Sequence, residues 1–386
     1  MSADFYDFSE QLARLKQQGL YRGRRVVDGP QGVLLRVDGR PVVNFCGNDY
    51  LGLANHPEVA SAFKRAVDRY GVGSGSAHLI CGHGSAHHAL EQELAAFTGR
   101  ERALLFSTGY MANLGVISAL VGRGDAVFED RLNHASLLDG GLLSRGQFKR
   151  FRHRDITDLA EKFGDRANKV LIVSDGVFSM DGDLADLPAL AALAKRQRAG
   201  LFIDDAHGFG VLGKNGGGIV EHFGLTPCDV PILMGTLGKA FGTFGAFVAG
   251  SEELIEMLIQ KARSYVFTTA LPPAVAEATR VGLRLLQTES WRREKLAELV
   301  ARFRAGAQQQ GLRLMDSFTA IQPIPMGDSR RALAVSQALL HRGFWVSAIR
   351  PPTVPAGTAR LRVTFSAEHD LQQVDGLLDA LIGVMA

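Results

Sequence analysis

Cysteine is scarce in this chain. Cys46, Cys81 and Cys228 are odd in number and widely spaced, which argues against a disulfide framework or a Cys-rich metal site and fits a reducing cytoplasm. An excess of one charge is lacking too: 43 Lys and Arg face 40 acidic residues, a net of +3. No like-charged run concentrates that small surplus, so nucleic-acid binding is disfavoured. No segment approaches the roughly 18 consecutive apolar residues of a membrane span. The opening stretch from Ser2 to Leu20 mixes charged and apolar residues at helical spacing and reads as neither signal nor anchor. What remains is a cytoplasmic globular protein without membrane or nucleic-acid partners.

What is present is bulk. With 46% hydrophobic residues over 386 positions, the chain can bury a core larger than one minimal domain needs. Val33 to Val37 and Val42 to Asn44 are β-branched runs around Asp38-Gly39, a hairpin signal. His56-Pro57 opens a helix to Tyr70, and Ser85 is a candidate N-cap for a second helix ending near Gly99. Short apolar runs at 103–106, 126–129, 170–174, 201–203 and 232–234 then alternate with helical patterns. That rhythm predicts an α/β architecture with a mostly parallel sheet covered on both faces. Near Pro272-Pro273 the rhythm changes to a long helical stretch, followed by strands at 321–325, 345–349 and 361–364. The expected division is an N-terminal segment over 1–45, a large domain over 46–279 and a smaller C-terminal α/β domain over 280–386.

Ligands of an open parallel sheet bind beyond the carboxyl ends of its strands, and the chemically capable residues fall there. Asp204 and His207 follow the run at 201–203. A buried carboxylate needs a cation or several donors. A helix cap is the ordinary reading; the sharper one is a partner for the protonated pyridine nitrogen of pyridoxal 5'-phosphate (PLP). Lys239, in Thr236-Leu-Gly-Lys239, sits among apolar and glycine residues after the next strand. That setting turns a lysine amine into a nucleophile toward an aldehyde. Ser107-Thr-Gly109-Tyr110 joins a strand to a helix whose first N–H groups suit a phosphate, with the Thr236 hydroxyl as a further donor. His134 and Ser179 also follow strands.

These positions occur in the order found in fold-type I PLP-dependent transferases, and the chain resembles one branch of them, the α-oxoamine synthases. The matching motifs are Asn48-Asp-Tyr-Leu-Gly52, Gly71-Val-Gly-Ser-Gly75, Ser107-Thr-Gly-Tyr110, Asn133-His-Ala-Ser136, Gly176-Val-Phe-Ser-Met-Asp-Gly182, Asp204-Asp-Ala-His-Gly208 and Thr236-Leu-Gly-Lys239. The resemblance implies a Schiff base on Lys239, Asp204 at the ring nitrogen, His207 at the ring hydroxyl and His134 stacked on the ring. It implies Ser179 at the polar edge, phosphate contacts from Gly109, Tyr110 and Thr236, and Asn48 near the amino-acid substrate. The stretch Trp345-Val-Ser-Ala-Ile-Arg350-Pro-Pro-Thr353-Val-Pro resembles members that condense L-alanine with a pimeloyl thioester, carried by CoA or acyl-carrier protein, in biotin synthesis. By that resemblance Arg362 takes the amino-acid carboxylate, Arg350 is a mobile second clamp, and Arg22 and Thr353 lie near the acyl group. Lys239 would also remove the α-proton, with His134 or His207 assisting the thioester carbonyl. A homodimer is implied, with the loop Gly71 to Gly75 facing the partner.

Competing readings are a glycine C-acetyltransferase of the same branch and a PLP-binding protein without catalysis. Gly208-Phe-Gly210-Val-Leu-Gly213 is a literal dinucleotide fingerprint, but the following Lys214-Asn-Gly-Gly-Gly218 does not open an amphipathic helix. Cys81, His83, His87 and His88 cluster locally. They read as histidines of a helix start, and no metal centre is expected.

Overall fold

The computed structural model describes residues 6–164 and 167–385. The chain divides into two compact units. The larger comprises Asp49–Ser179 and Asp183–Glu294; the smaller comprises the chain up to Asn48, Met180–Gly182 and the chain from Lys295 onward.

The larger unit is built on a seven-stranded sheet. Its spatial order is Arg102–Phe106, Ala246–Gly250, Ile232–Thr236, Gly200–Asp204, Val170–Asp175, Ala126–Asp130 and Gln147–Phe151. The last five are mutually parallel, and Ala246–Gly250 runs antiparallel to both of its neighbours. Every residue of Ala126–Asp130 and Ala246–Gly250 is buried, as expected of strands covered on both faces. Helices Gly109–Leu120 and Glu252–Lys261 contribute Val116, Ile117, Ile255 and Leu258 to a core shared with Phe106, Val127, Val173, Phe202 and Met234.

This order positions chemistry. Adjacent parallel strands end at Thr236, Asp204, Asp175 and Asp130, so the loops after them are neighbours on one edge of the sheet. Ala246 pairs with both Phe106 and Thr236, which brings the turn after Phe106 to the same edge. Asp175 and Asp204 are direct cross-strand partners.

Helix Pro57–Tyr70 forms where the pattern predicts it, capped by His56 and ended by Gly71 at φ 76. Helix Ser85–Thr98 differs in its start. Gly84, not Ser85, is the N-cap, because His87 Nδ1 reaches back to accept the Gly84 N–H at 3.0 Å. Helix Pro273–Thr288 packs on Pro57–Tyr70 and Ser85–Thr98 within the larger unit. The division therefore falls after Glu294, inside helix Trp291–Gln309, rather than at residue 280.

In the smaller unit, Leu34–Val37 and Arg40–Asn44 form the expected hairpin, with Val37 opposite Arg40. Asp38 and Gly39 both have positive φ, 49° and 79°, as a two-residue primed turn requires. The segment 1–45 is not a unit of its own: Arg40–Asn44 pairs in parallel with Phe344–Trp345. A second, antiparallel sheet has the order Ile321–Gly327, Ala359–Thr364, Ser347–Ile349. The turn Met180–Gly182 joins this unit through Asp181, 2.6 Å from Arg360, and through the Gly182 carbonyl, which accepts from Ser317 Oγ at 2.8 Å. A Cβ at Gly182 would lie 2.5 Å from the Ile321 carbonyl oxygen, so only glycine fits there.

Candidate functional site

A pocket of about 190 Å³ opens at the shared edge of the large sheet, lined by Gly109, Tyr110, His134, Ser179, Asp204, His207, Thr236 and Lys239 among others. Those eight are all the cofactor-contacting positions expected from sequence. Lys239 follows strand Ile232–Thr236, and its Nζ lies 2.8 Å from Nε2 of His207. The opposite ring nitrogen of His207 is 2.7 Å from the hydroxyl of Tyr50, which is 1% exposed.

Asp204 ends strand Gly200–Asp204 and is buried. Its oxygens accept from two neutral donors, the Ala206 N–H at 2.9 Å and the Asn113 amide at 2.7 Å. Asp205 turns elsewhere and accepts the Ile219 N–H at 2.8 Å. The same Asn113 amide donates to Ser136 Oγ at 2.8 Å, and Ser136 Oγ lies 2.7 Å from His134 Nδ1. A continuous polar chain thus connects His134 to Asp204. The His134 N–H donates to Asp175 at 2.8 Å. Burial, reinforced by Asp204 on the neighbouring strand, holds the Asp175 carboxyl well above the usual carboxylate range. Desolvation lowers the His134 imidazole below its ordinary value against the opposing pull of Asp204.

The phosphate-like corner is backbone. Thr108 caps helix Gly109–Leu120 and takes the Met111 N–H; the preceding N–H groups of Gly109 and Tyr110 have no acceptor within the helix. A Cβ at Gly109 would meet Met234 at 3.4 Å. Thr236 Oγ1 donates to the Gly245 carbonyl at 3.1 Å and accepts the Gly238 N–H at 3.4 Å, and a rotation of its hydroxyl would turn the proton toward a bound anion. The pocket therefore combines a basic amine, an imidazole, a buried carboxylate lacking a cationic partner among the contacts named, and a helix N-terminus. That set fits pyridoxal phosphate: an aldehyde for the amine, a ring N–H for the carboxylate, an anion for the helix.

Next to Phe178, His153 sits between two carboxylates, Nδ1 at 3.0 Å from Asp130 and Nε2 at 2.9 Å from Asp183. Burial pulls its pKa down, and the two carboxylates more than reverse this, to about 9. Its ring meets Phe178 edge-on at 4.4 Å, and the Phe178 N–H donates to the Asp183 carbonyl. The charged imidazole thereby braces the segment that carries Ser179.

The smaller unit holds the other expected residues. Arg362 is buried on strand Ala359–Thr364, and both terminal nitrogens lie 3.2 Å from Asn48 Oδ1. Arg22 donates to Thr353 Oγ1 at 3.1 Å. Arg350 donates to the carbonyls of Gly19 and Tyr21, and burial together with Arg22 lowers its pKa. Tyr50, Asn113, Ser136, Asp175 and His153 are not singled out by the sequence as working residues, although Tyr50 and Ser136 lie inside quoted motifs and Asp175 directly precedes one. The glycine fingerprint Gly208–Gly213 forms turns, and the next helix, Gly218–His222, is only five residues long, so no dinucleotide helix follows it.

The chain matches the family described as aminotransferase class I and II over residues 40–381. It is 64% identical to the 8-amino-7-oxononanoate synthase of Methylococcus capsulatus, covering 97% of each chain. It is 61% identical to the enzyme of that name from Pseudomonas aeruginosa, covering 97% of this chain and 94% of the other. Among solved structures it resembles a serine palmitoyltransferase from S. paucimobilis with bound PLP, with TM-score 0.93, 33% identity and coverage of 98% and 97%. It also resembles the 8-amino-7-oxononanoate synthase of Francisella tularensis, with TM-score 0.78, 32% identity and coverage of 89% and 97%.

Proposed function

This chain belongs to the class I and II aminotransferase family, and from that premise we propose that it condenses L-alanine with a pimeloyl thioester. The products are 8-amino-7-oxononanoate, carbon dioxide and the free carrier thiol, a step of biotin synthesis, and the cofactor is pyridoxal 5'-phosphate. The observation that carries this reading is identity of 61–64% along nearly the whole chain to synthases of that name. Likeness to serine palmitoyltransferases is stronger in backbone but only 33% in sequence; shared fold does not decide substrate.

Bound pyridoxal phosphate supplies an aldehyde that captures amines and a ring that withdraws electrons from the substrate α-carbon. The protein's part is to place groups around it. The N–H groups of Gly109 and Tyr110 would hold the phosphate, joined by the Thr236 hydroxyl once its proton turns from the Gly245 carbonyl. Asp204, fixed by Asn113 and Ala206, keeps the ring nitrogen protonated; Ser179 and His207 serve the ring's polar edge, and His134 covers its face. Lys239 Nζ anchors the cofactor, then takes the α-proton of alanine and returns one after carbon dioxide leaves. The His207 imidazole, in contact with Nζ, is placed to share that proton. Arg362, oriented by Asn48, binds the alanine carboxylate through its planar fork. Arg22 and Thr353 serve the acyl chain, with Arg350 as a second clamp, and the carrier is CoA or acyl-carrier protein.

We also infer a homodimer. Val72 and Ile80, in and after the glycine loop, are 80% and 78% exposed, and Phe267, 71% exposed, lies two residues before Thr269, which bridges to Ala77. Apolar side chains so placed suit a symmetric interface. Sedimentation should give twice the chain mass; a fully active monomer would refute this inference.

The activity is tested by supplying L-alanine, glycine and L-serine separately with pimeloyl thioester and recording thiol release and product mass. Only L-alanine should give 8-amino-7-oxononanoate at high rate. Preference for glycine with acetyl-CoA would assign the chain to another α-oxoamine synthase reaction.

A further inference from the structure

The histidines after the glycine loop are arranged otherwise than their spacing suggests. His83 and His87 are one helical turn apart in sequence, but His87 is consumed structurally: Nδ1 accepts the Gly84 N–H and Nε2 lies 2.6 Å from the Leu271 carbonyl. His83 faces His88 and Glu91 instead. One side-chain ligand atom from each of these three lies within 4.8 Å of the others, and His83 Nε2 is 3.9 Å from Glu91 Oε2. We propose that His83, His88 and Glu91 form a binding site for a divalent transition metal of the Zn²⁺ class.

The elements around the cluster are those of a built site. His88 and Glu91 project from the same face of helix Ser85–Thr98, three residues apart. Glu91 has a side chain only 13% exposed, and its Oε1 accepts the Leu105 N–H at 3.0 Å. Its other oxygen is the one turned to His83. A carboxylate so buried is favoured by a cation; the charge of Arg102 reaches Glu91, but its guanidinium is paired with Glu252 and Glu256.

His83 is also oriented from behind. Its Nδ1 lies 3.0 Å from Nδ1 of His78, a ring 8% exposed and stacked on Tyr265 at 4.9 Å. With His83 donating to His78, the lone pair of Nε2 points to the Glu91 side. This is the arrangement in which a buried partner fixes the tautomer of a ligating histidine. Ligand bonds of about 2.0–2.2 Å place two ligand atoms of one ion at most about 4 Å apart. The 4.8 Å spread closes by rotation of His88, whose side chain is exposed. Two imidazoles and one carboxylate suit Zn²⁺, Co²⁺ or Fe²⁺ better than Mg²⁺ or Ca²⁺, and water completes the coordination. The ion would tie the turn before Ser85 to the helix that follows it.

Zinc titrated calorimetrically into the full-length, PLP-loaded protein tests the site. The expected result is one ion per chain, with affinity at least tenfold weaker in His88→Gln. His78→Phe keeps the ring on Tyr265 but removes the nitrogen behind His83, and should weaken binding about 10–100-fold. Both variants should retain the native cofactor absorbance, which reports that the fold is intact. Absence of zinc binding to the native protein, or equal binding in native and His88→Gln proteins, overturns the proposal.

Discussion

The Lys239 amine lies 2.8 Å from Nε2 of His207, whose Nδ1 lies 2.7 Å from the Tyr50 hydroxyl. A neutral imidazole donates through one nitrogen and accepts through the other. Tyr50 therefore influences which nitrogen of His207 carries the proton, and through it how Lys239 holds its own. Tyr50→Phe keeps the buried ring and removes only the hydroxyl. Turnover should fall about three- to tenfold, the worth of one hydrogen bond of roughly 0.5–1.5 kcal/mol, with the pH profile displaced and the cofactor retained. An unchanged rate and pH profile would show that Tyr50 has only a packing role.

Arg362 presents both terminal nitrogens to Asn48 Oδ1, which fixes the plane of the guanidinium. Lysine cannot reproduce that fork. Arg362→Lys should raise KM for L-alanine about tenfold to a hundredfold, the cost of a lost charge-assisted hydrogen bond of about 1.5–3 kcal/mol. Binding of pyridoxal phosphate should be unaffected. Steady-state kinetics with alanine varied at saturating thioester separates KM from kcat.

His153 gives the fold a pH dependence. Its folded-state pKa of about 9 lies above the ordinary value of about 6.5, so its stabilisation is fully present below about pH 6.5 and is lost as pH rises through 9. A shift of this size is worth on the order of 3 kcal/mol. Urea unfolding should show the native protein losing stability between pH 7 and pH 10, and His153→Gln should be less stable at pH 7 with a flatter slope. Parallel slopes for the two proteins would contradict the double ion pair with Asp130 and Asp183.

Much of this was legible in sequence because it is local. The short apolar runs before Thr236, Asp204 and Asp130 announce buried strands, and the residues just beyond them line or adjoin the pocket. Asp38-Gly39 announces its hairpin because few residues tolerate positive φ twice in succession. Strand Gln147–Phe151 was missed because its polar, half-exposed pattern suits a sheet edge. Ala246–Gly250 is not announced either, because an all-buried strand alternates no polar with apolar residues and carries no period. The partnership of Asn113 with Asp204 and Ser136 joins residues far apart in the chain, and nothing in their spacing reveals it. Asp175 was passed over for the same reason: its role depends on lying opposite Asp204 across two strands. The break at 280 was drawn at a change of rhythm, whereas the packing of Pro273–Thr288 on two helices of the larger unit carries the division past Glu294.

The central claim is that Lys239 both carries the cofactor and moves the α-proton of the substrate. Its most direct test is exchange of the α-hydrogen of L-alanine in D₂O, without thioester, in the native protein and in Lys239→Ala. The native protein should exchange that hydrogen and show the absorbance of lysine-bound cofactor. Lys239→Ala should show neither. Exchange at the native rate in Lys239→Ala would contradict the account.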